Sequence, residues 1–335
     1  MKPELKLVHL QLTLRCNLNC SFCGQWGENG YMLGKSAKEM PLANWLKVID
    51  EIKQNENNPE FIIWGGEPLV SENFEPVVKA LKQNNFRVSV VSNGVLLSKF
   101  ADVINEYVDK LFISLDGPAQ VHEKIRARKG IFQLIVKGIE KLNSSKVELI
   151  NLLTICEANI NEITNFPTEL FKLGFSEIIY QNLIYCSSNQ AKEYKKWMLE
   201  DFGIKAEKIN SWITDNFCDW IQKLPEKVAE LKKLKVTLFP FELNSSNILD
   251  WFDIDKPLKD TNETCAMPYR HLHINPDGNA HFCVDFNDFT LGNVMEDGVY
   301  DLFTSSKAEK FRKTTDCGKN PLCKRCPWFY NKSII

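Results

Sequence analysis

The sequence predicts an α/β protein: an open, partial (β/α)6 barrel followed by a small C-terminal α+β segment. Two observations carry this expectation. Between residues 5 and 181, six short apolar runs of strand character alternate with amphipathic helical patterns, as parallel strands joined by right-handed crossovers require. Six such units are too few to close the usual eight-stranded barrel. From residue 265 the pattern changes to a hairpin, a helix and clustered cysteines. Three parts are therefore expected: a barrel over 1–182, a helical insert or linker over 183–264 that shapes the substrate pocket, and a small domain over 265–335.

In chain order, residues 5–14 read as the first strand, and a loop rich in cysteine and glycine follows. Pro41 opens a helix to about residue 54, with Leu42, Trp45, Leu46, Ile49 and Ile52 on one face. Residues 60–64 form an unbroken apolar run suited to a strand buried on both faces. A helix over 72–84, a strand over 86–91, a helix near 98–106 and a strand over 110–115 come next. Helix 131–143, strand 147–154, helix 161–173 and strand 175–181 complete the repeat. Helical patterns then cover about 190–200, 205–222 and 225–233, and a short strand is expected at 236–239, ahead of Pro240, Phe241 and Glu242. In the last segment, Pro276-Asp277-Gly278 is turn chemistry between two strands, and a helix is expected over 298–312.

Composition narrows the function classes. Hydrophobic residues make up 44% and charged residues 25%, values ordinary for a soluble globular protein. A formal net charge of −2 gives no general attraction to nucleic acid or anionic membrane. No run reaches the roughly 18 apolar residues of a membrane span, and the N-terminus lacks the pattern of a signal peptide. Eleven cysteines without a secretion signal point to metal or redox use in a reducing cytoplasm.

The densest chemistry lies just after the first strand. Cys16, Cys20 and Cys23 form a C-x3-C-x2-C array. Thiolates are soft ligands that suit iron–sulfur clusters, and three of them leave one iron of a [4Fe–4S] cube open to a small molecule. A closed zinc site wants a fourth ligand, and none lies nearby in the sequence. Other suggestive groups fall at the expected C-terminal ends of strands, where barrel sites gather: Gly65-Gly66-Glu67-Pro68, then Ser92-Asn93-Gly94, then Ser114 and Asp116. Cys265, Cys283, Cys323 and Cys326 make a second set of four thiols, which by spacing suits zinc or a cluster.

The first array, with Phe22 in its aromatic slot, resembles the signature of the radical S-adenosylmethionine (radical SAM) superfamily. Gly65-Gly66-Glu67-Pro68 is similar to that family's GGEP motif. The resemblance implies that Cys16, Cys20 and Cys23 hold a [4Fe–4S] cluster whose open iron binds S-adenosylmethionine. It further implies contacts to that cofactor from Gly65, Gly66, Glu67, Asn93, Ser114, Asp116 and Arg126. The segment from Cys265, with Ile274-Asn275-Pro276-Asp277-Gly278, Leu291-Gly292-Asn293 and Cys323-x2-Cys326, resembles SPASM/twitch domains. It implies one auxiliary [4Fe–4S] cluster on Cys265, Cys283, Cys323 and Cys326, with Cys317 as the alternative to Cys265. The two resemblances cover 5–182 and 265–330.

On this reading the protein is an enzyme that cleaves S-adenosylmethionine, abstracts a substrate hydrogen and passes an electron to the auxiliary cluster, fed by a flavodoxin- or ferredoxin-type donor. The expected substrate is a small molecule: a sugar, aminocyclitol or nucleotide-sugar alcohol. The first strand begins too early for the N-terminal leader-binding domain that peptide-modifying relatives often carry. The alternatives are an epimerase or a peptide-modifying enzyme with a thiol hydrogen donor, for which Cys186 and Cys156 are candidates and Cys218 a weaker one. A non-catalytic iron–sulfur or zinc-binding protein would explain the cysteines but not the GGEP sequence. His271, His273 and His281 are candidate bases by residue type, with alternation along a strand expected to keep all three from one face.

Overall fold

Strand β1 (Leu7–Thr13) is buried at every residue and sits inside a single ten-stranded sheet. The computed structural model describes residues 1–36, 38–55, 58–143, 146–217, 219–240, 243–253, 264–316 and 318–330. Cys218, Phe241, Glu242 and Cys317 lie outside the described residues. The further strands are β2 (Glu60–Gly65), β3 (Val88–Ser92), β4 (Lys110–Ser114), β5 (Glu148–Thr154), β6 (Glu177–Gln181), β7 (Thr237–Phe239), β8 (His271–Ile274), β9 (Asn279–His281) and β10 (Gly292–Asn293).

Their spatial order is β10-β9-β8-β1-β2-β3-β4-β5-β6-β7. Strands β8 and β1 to β7 run parallel, and β9 and β10 return antiparallel. The six expected parallel strands thus become eight. The insert adds β7 beside β6, and the C-terminal hairpin adds β8 beside β1, with Leu7 opposite His271 and Leu10 opposite Ile274. Backbone bonds extend the seam: the amides of Glu4 and Lys6 donate to the carbonyls of Tyr269 and Arg270 at 2.9 and 2.8 Å.

Helices cover the sheet by burying one stripe each. Leu42–Gln54 buries Trp45, Val48, Ile49 and Ile52, a spacing of three and four residues. Ile131–Ile139 buries Ile131, Phe132, Ile135 and Ile139 among others. Several helical segments differ from expectation, each for a local reason. The helix expected over 161–173 is Pro167–Lys172, because a proline at its start fixes the first turn and Asn159 holds the preceding turn by accepting from the Cys156 amide. Instead of a helix over 205–222 there are short 3-10 turns, Lys208–Trp212 and Asp219–Lys223. Between them the chain is drawn out by a bridge from Ile213 to Cys186. The helix expected over 298–312 is cut by Gly298 (φ +79°) and Ser305, giving Val294–Asp297, Val299–Thr304 and Ser306–Asp316. The sequence reading missed Ala119–Ile125, which leads directly into Arg126. Among the described residues, no helix is long and apolar enough to cross a membrane.

Ile274 is fully buried at the β1–β8 seam. Ile274→Ala should lower unfolding stability by about 3 kcal/mol through the lost transfer energy and the cavity left behind, read from the denaturant midpoint.

Candidate active site

The cysteine loop begins where β1 ends, and β2 is stitched to it. The amides of Gly66 and Glu67 donate to the carbonyls of Thr13 and Arg15 at 3.0 and 2.9 Å. A Cβ on Gly66 would stand 2.1 Å from the Arg15 carbonyl oxygen, and Gly65 has φ +143°, where a side chain is strained. The two glycines therefore let the backbone approach the cysteine loop itself. Cys16, Cys20 and Cys23 all line one cavity, together with Gly65, Gly66, Glu67, Asn93, Ser114 and Arg126. Burial pushes the Cys16 thiol up to about 12 and also raises Cys20, against the pull of the Arg126 cation.

Glu67 is buried, and its carboxylate accepts three bonds: from the Leu69 amide (3.1 Å), the Ser92 hydroxyl (2.8 Å) and the Asn93 amide (2.7 Å). Burial lifts its pKa to about 7 even though these bonds favour the anion. Three donors leave roughly one lone-pair direction for a ligand. Asn93 also donates from its side chain to Asn17 at 2.7 Å, which ties the end of β3 to the cysteine loop. Arg126 donates from Nε to Asp116 Oδ2 at 2.6 Å and from Nη1 to Cys20 Sγ at 3.5 Å. Its guanidinium stands 5.3 Å from the centre of the Phe22 ring. Asp116 does not line the cavity; it is fully buried, and its other oxygen accepts the Thr154 amide at 3.0 Å. Asp116 therefore positions Arg126 rather than touching a ligand. The Asn159 side chain donates to the carbonyls of Asp116 and Thr154, which joins the ends of β4 and β5.

Cys265, Cys283, Cys323 and Cys326 line a second cavity, walled by Phe282, Phe286, Phe311 and Phe329. Burial raises all four, Cys265 to about 12, and the neighbouring thiols raise Cys283, Cys323 and Cys326 further. Buried thiols of this kind ionise when a metal supplies compensating positive charge. Among the described residues no three Cys, His, Asp or Glu side chains converge on one point as a single ion requires. The four thiols instead surround one enclosed space, a donor set that can hold a metal centre. The Cys-x2-Cys knuckle is anchored by Arg325, whose Nη1 donates to the carbonyls of Asp250 and Trp251 at 3.0 and 2.6 Å.

The candidate proton and hydrogen carriers are placed differently from expectation. His271, His273 and His281 share one side of the sheet: 271 and 273 are two residues apart on β8, and His281 is the register partner of His273, so all three side chains emerge on one face. They are buried with His9, whose Nδ1 lies 2.6 Å from His271 Nε2. Burial holds His271 and His281 at about 3, and none of the three lines the first cavity. Cys186 is fully buried and also off that cavity. The chain after β6 lines the cavity as far as Ile184, and the bridge with Ile213 then holds Cys186 off it. Cys156 is likewise not on the cavity wall.

One residue the sequence reading missed does face the cavity. Asp285 lines it, two positions after Cys283, and Oδ2 accepts the Trp328 indole N–H at 3.0 Å. Burial raises its carboxyl to about 6. A carboxylate two residues from an expected cluster ligand carried the signal, without a motif to mark it. Iron analysis after anaerobic reconstitution checks the two thiol sets. Wild type should hold about eight irons and the Cys16/Cys20/Cys23→Ala variant about four; equal values would mean that Cys16, Cys20 and Cys23 hold no cluster.

Comparison with known proteins agrees with this geometry. Residues 10–166 match the radical SAM superfamily, and residues 265–327 match SPASM, an iron–sulfur cluster-binding domain. The sporulation killing factor maturation protein SkfB of Bacillus subtilis is 25% identical over 301 residues, covering 88% of this chain and 63% of SkfB; the chain thus spans less than two thirds of that relative. The tungsten-containing aldehyde ferredoxin oxidoreductase cofactor-modifying protein of Pyrococcus furiosus is 25% identical over 343 residues, covering 96% and 87%. Among solved structures, Streptococcus suis SuiB bound to precursor peptide SuiA superposes with a TM-score of 0.64 at 13% identity, covering 98% of this chain and 75% of SuiB. Residues 10–166 are thus a radical SAM domain, which binds S-adenosylmethionine and a [4Fe–4S] cluster, and residues 265–327 a SPASM domain, which binds iron–sulfur clusters.

Proposed function

We propose that this enzyme modifies a peptide by radical chemistry and removes two electrons from it. This reading moves the substrate from the small alcohol expected from sequence to a peptide. Its support is the name of SkfB, a maturation protein, and the precursor peptide held by SuiB. The oxidative part rests on one observation: Val284 lines both cavities, so a single residue separates the substrate space from the auxiliary thiols. The described cysteines on the first cavity are Cys16, Cys20 and Cys23. With those committed to a cluster, no described thiol is left there to return a hydrogen atom, and oxidation is favoured over epimerisation.

When bound, S-adenosylmethionine supplies the hydrogen-abstracting radical and the auxiliary cluster an electron acceptor. The chain's own residues do the rest. Glu67 offers its remaining lone pair to an ammonium. Arg126, held by Asp116, offers its guanidinium edge to a carboxylate, and Asn93 and Ser114 supply neutral hydrogen bonds. Trp26, Trp64 and Trp212 wall the cavity and exclude water. Asp285 takes the proton that the substrate loses once its hydrogen atom has gone.

Two measurements test this. Release of 5′-deoxyadenosine should rise with pools of synthetic 15-residue peptides and stay at background with sugars, aminocyclitols and nucleotide sugars; the opposite pattern would remove the peptide reading. Asp285→Asn should keep 5′-deoxyadenosine formation within a few-fold of wild type while lowering oxidised product by about 100-fold, in the range typical of a lost general base. Loss of both together would make Asp285 structural.

A further inference from the structure

A cavity of about 260 Å3 lies beside the first one and shares Tyr31 with it. No part of the reaction described above uses it. Three ammonium groups stand on its wall, those of Lys35, Lys38 and Lys208. Lys208 is partly buried; its Nζ donates to the Asn287 carbonyl at 3.3 Å and lies 5.8 Å from the Tyr31 ring centre. Among the described residues, none of the three forms an ion pair. Two carboxylates are near. Asp277 lines the cavity, but both its oxygens are engaged by Asn279, at 3.1 and 2.7 Å. Asp288 accepts the backbone amide of Lys208 at 2.9 Å. Both carboxylates keep their charge and act on Lys208, so three ammonium groups against two carboxylates leave one positive charge in excess.

The remaining wall is polar and incompletely bonded. Gln11, Asn275 and Asn287 are buried and line the cavity, and each has one side-chain atom without a partner: Gln11 Nε2, Asn275 Oδ1 and Asn287 Oδ1. The orientation of Asn275 is fixed by its neighbour. His281 Nδ1 lies 2.8 Å from the Phe289 carbonyl and must donate to it, so Nε2 is the acceptor that takes the Asn275 Nδ2 hydrogen at 2.8 Å, and Oδ1 is the free atom. Unmet buried polar atoms carry a desolvation cost that a ligand relieves. A ligand matching this wall needs an anion for the lysines and Gln11, and an N–H donor for the two asparagine oxygens. A fully deprotonated inorganic anion such as sulfate has no donor for those oxygens. An acidic residue within a peptide has both.

We propose that this second cavity is a substrate subsite that receives a carboxylate flanked by an amide N–H, as in an acidic residue next to the reacting one. The proposal rests on the peptide reading for the source of that carboxylate. The probes are N-acetyl-glutamate N-methylamide, its glutamine counterpart and free glutarate, titrated into the reconstituted protein with S-adenosylmethionine bound and followed by ligand-observed NMR. The glutamate probe should bind about tenfold more tightly than the glutamine probe, as charge-assisted bonds exceed neutral ones. Lys35→Gln/Lys38→Gln, two exposed positions outside the reaction machinery, should erase most of that preference, and adding Lys208→Gln should erase the rest. Equal affinity for the two amides, or a preference that survives the triple variant, overturns the subsite. Glutarate bound with the same lysine dependence while the glutamate amide is ignored would support a carboxylate subsite and overturn its peptide source.

Discussion

The pairing of β8 with β1 is the constraint on which the rest depends. Four register pairs, Leu7 with His271 through Leu10 with Ile274, join segments more than 260 residues apart in the chain. Such a long-range parallel pairing costs chain entropy that local contacts cannot return. The seam meets it by burial: β1 is buried throughout, as are all four residues of β8. The consequence is mechanical. The strand that delivers the first cysteine loop and the hairpin that delivers Cys283, Val284 and Asp285 belong to one sheet. The thin wall between the cavities is thus fixed by backbone hydrogen bonds rather than by docking of two bodies.

That seam is also where sequence reading reached its limit. The cysteine loop, the Gly65-Gly66-Glu67 strand end and the terminal Cys-x2-Cys were legible because their chemistry is local: residue type and spacing are the site. The six βα units were legible from alternation of apolar periods. Strands β7 and β8 were read as a stray strand and as part of a separate domain, because nothing local in Thr237–Phe239 or His271–Ile274 says which strand each will pair with. Cys186 was placed at the mouth by extrapolating β6, whereas its bridge to Ile213 depends on a partner 27 residues away. The histidines were misjudged through geometry that the sequence did contain: positions 271 and 273 already share a face, and only the 273–281 register was hidden. Asp285 carried no motif at all. Its role follows from which cavity the hairpin end reaches.

The two thiol sets sit in opposite electrical settings, and this separates their work. Cys20 has the Arg126 guanidinium at 3.5 Å, and the surrounding cavity carries Glu67, Asn93 and Ser114. Charge and hydrogen bonds are therefore already in place for polar ligands, and Asp116 keeps Arg126 from collapsing onto the thiols. The second cavity has no lysine or arginine on its described wall, and Asp285 and Asp288 press the Cys283 thiol further from ionisation. Thiolates there depend almost wholly on the charge of the metal, which couples metal binding to the packing of the surrounding segment. Phenylalanine walls surround those sulfurs, and Val284, which lines both cavities, stands between them and the substrate space. A polar first site and an enclosed, apolar second site that share Val284 are the arrangement on which the proposed transfer of an electron to the auxiliary centre depends.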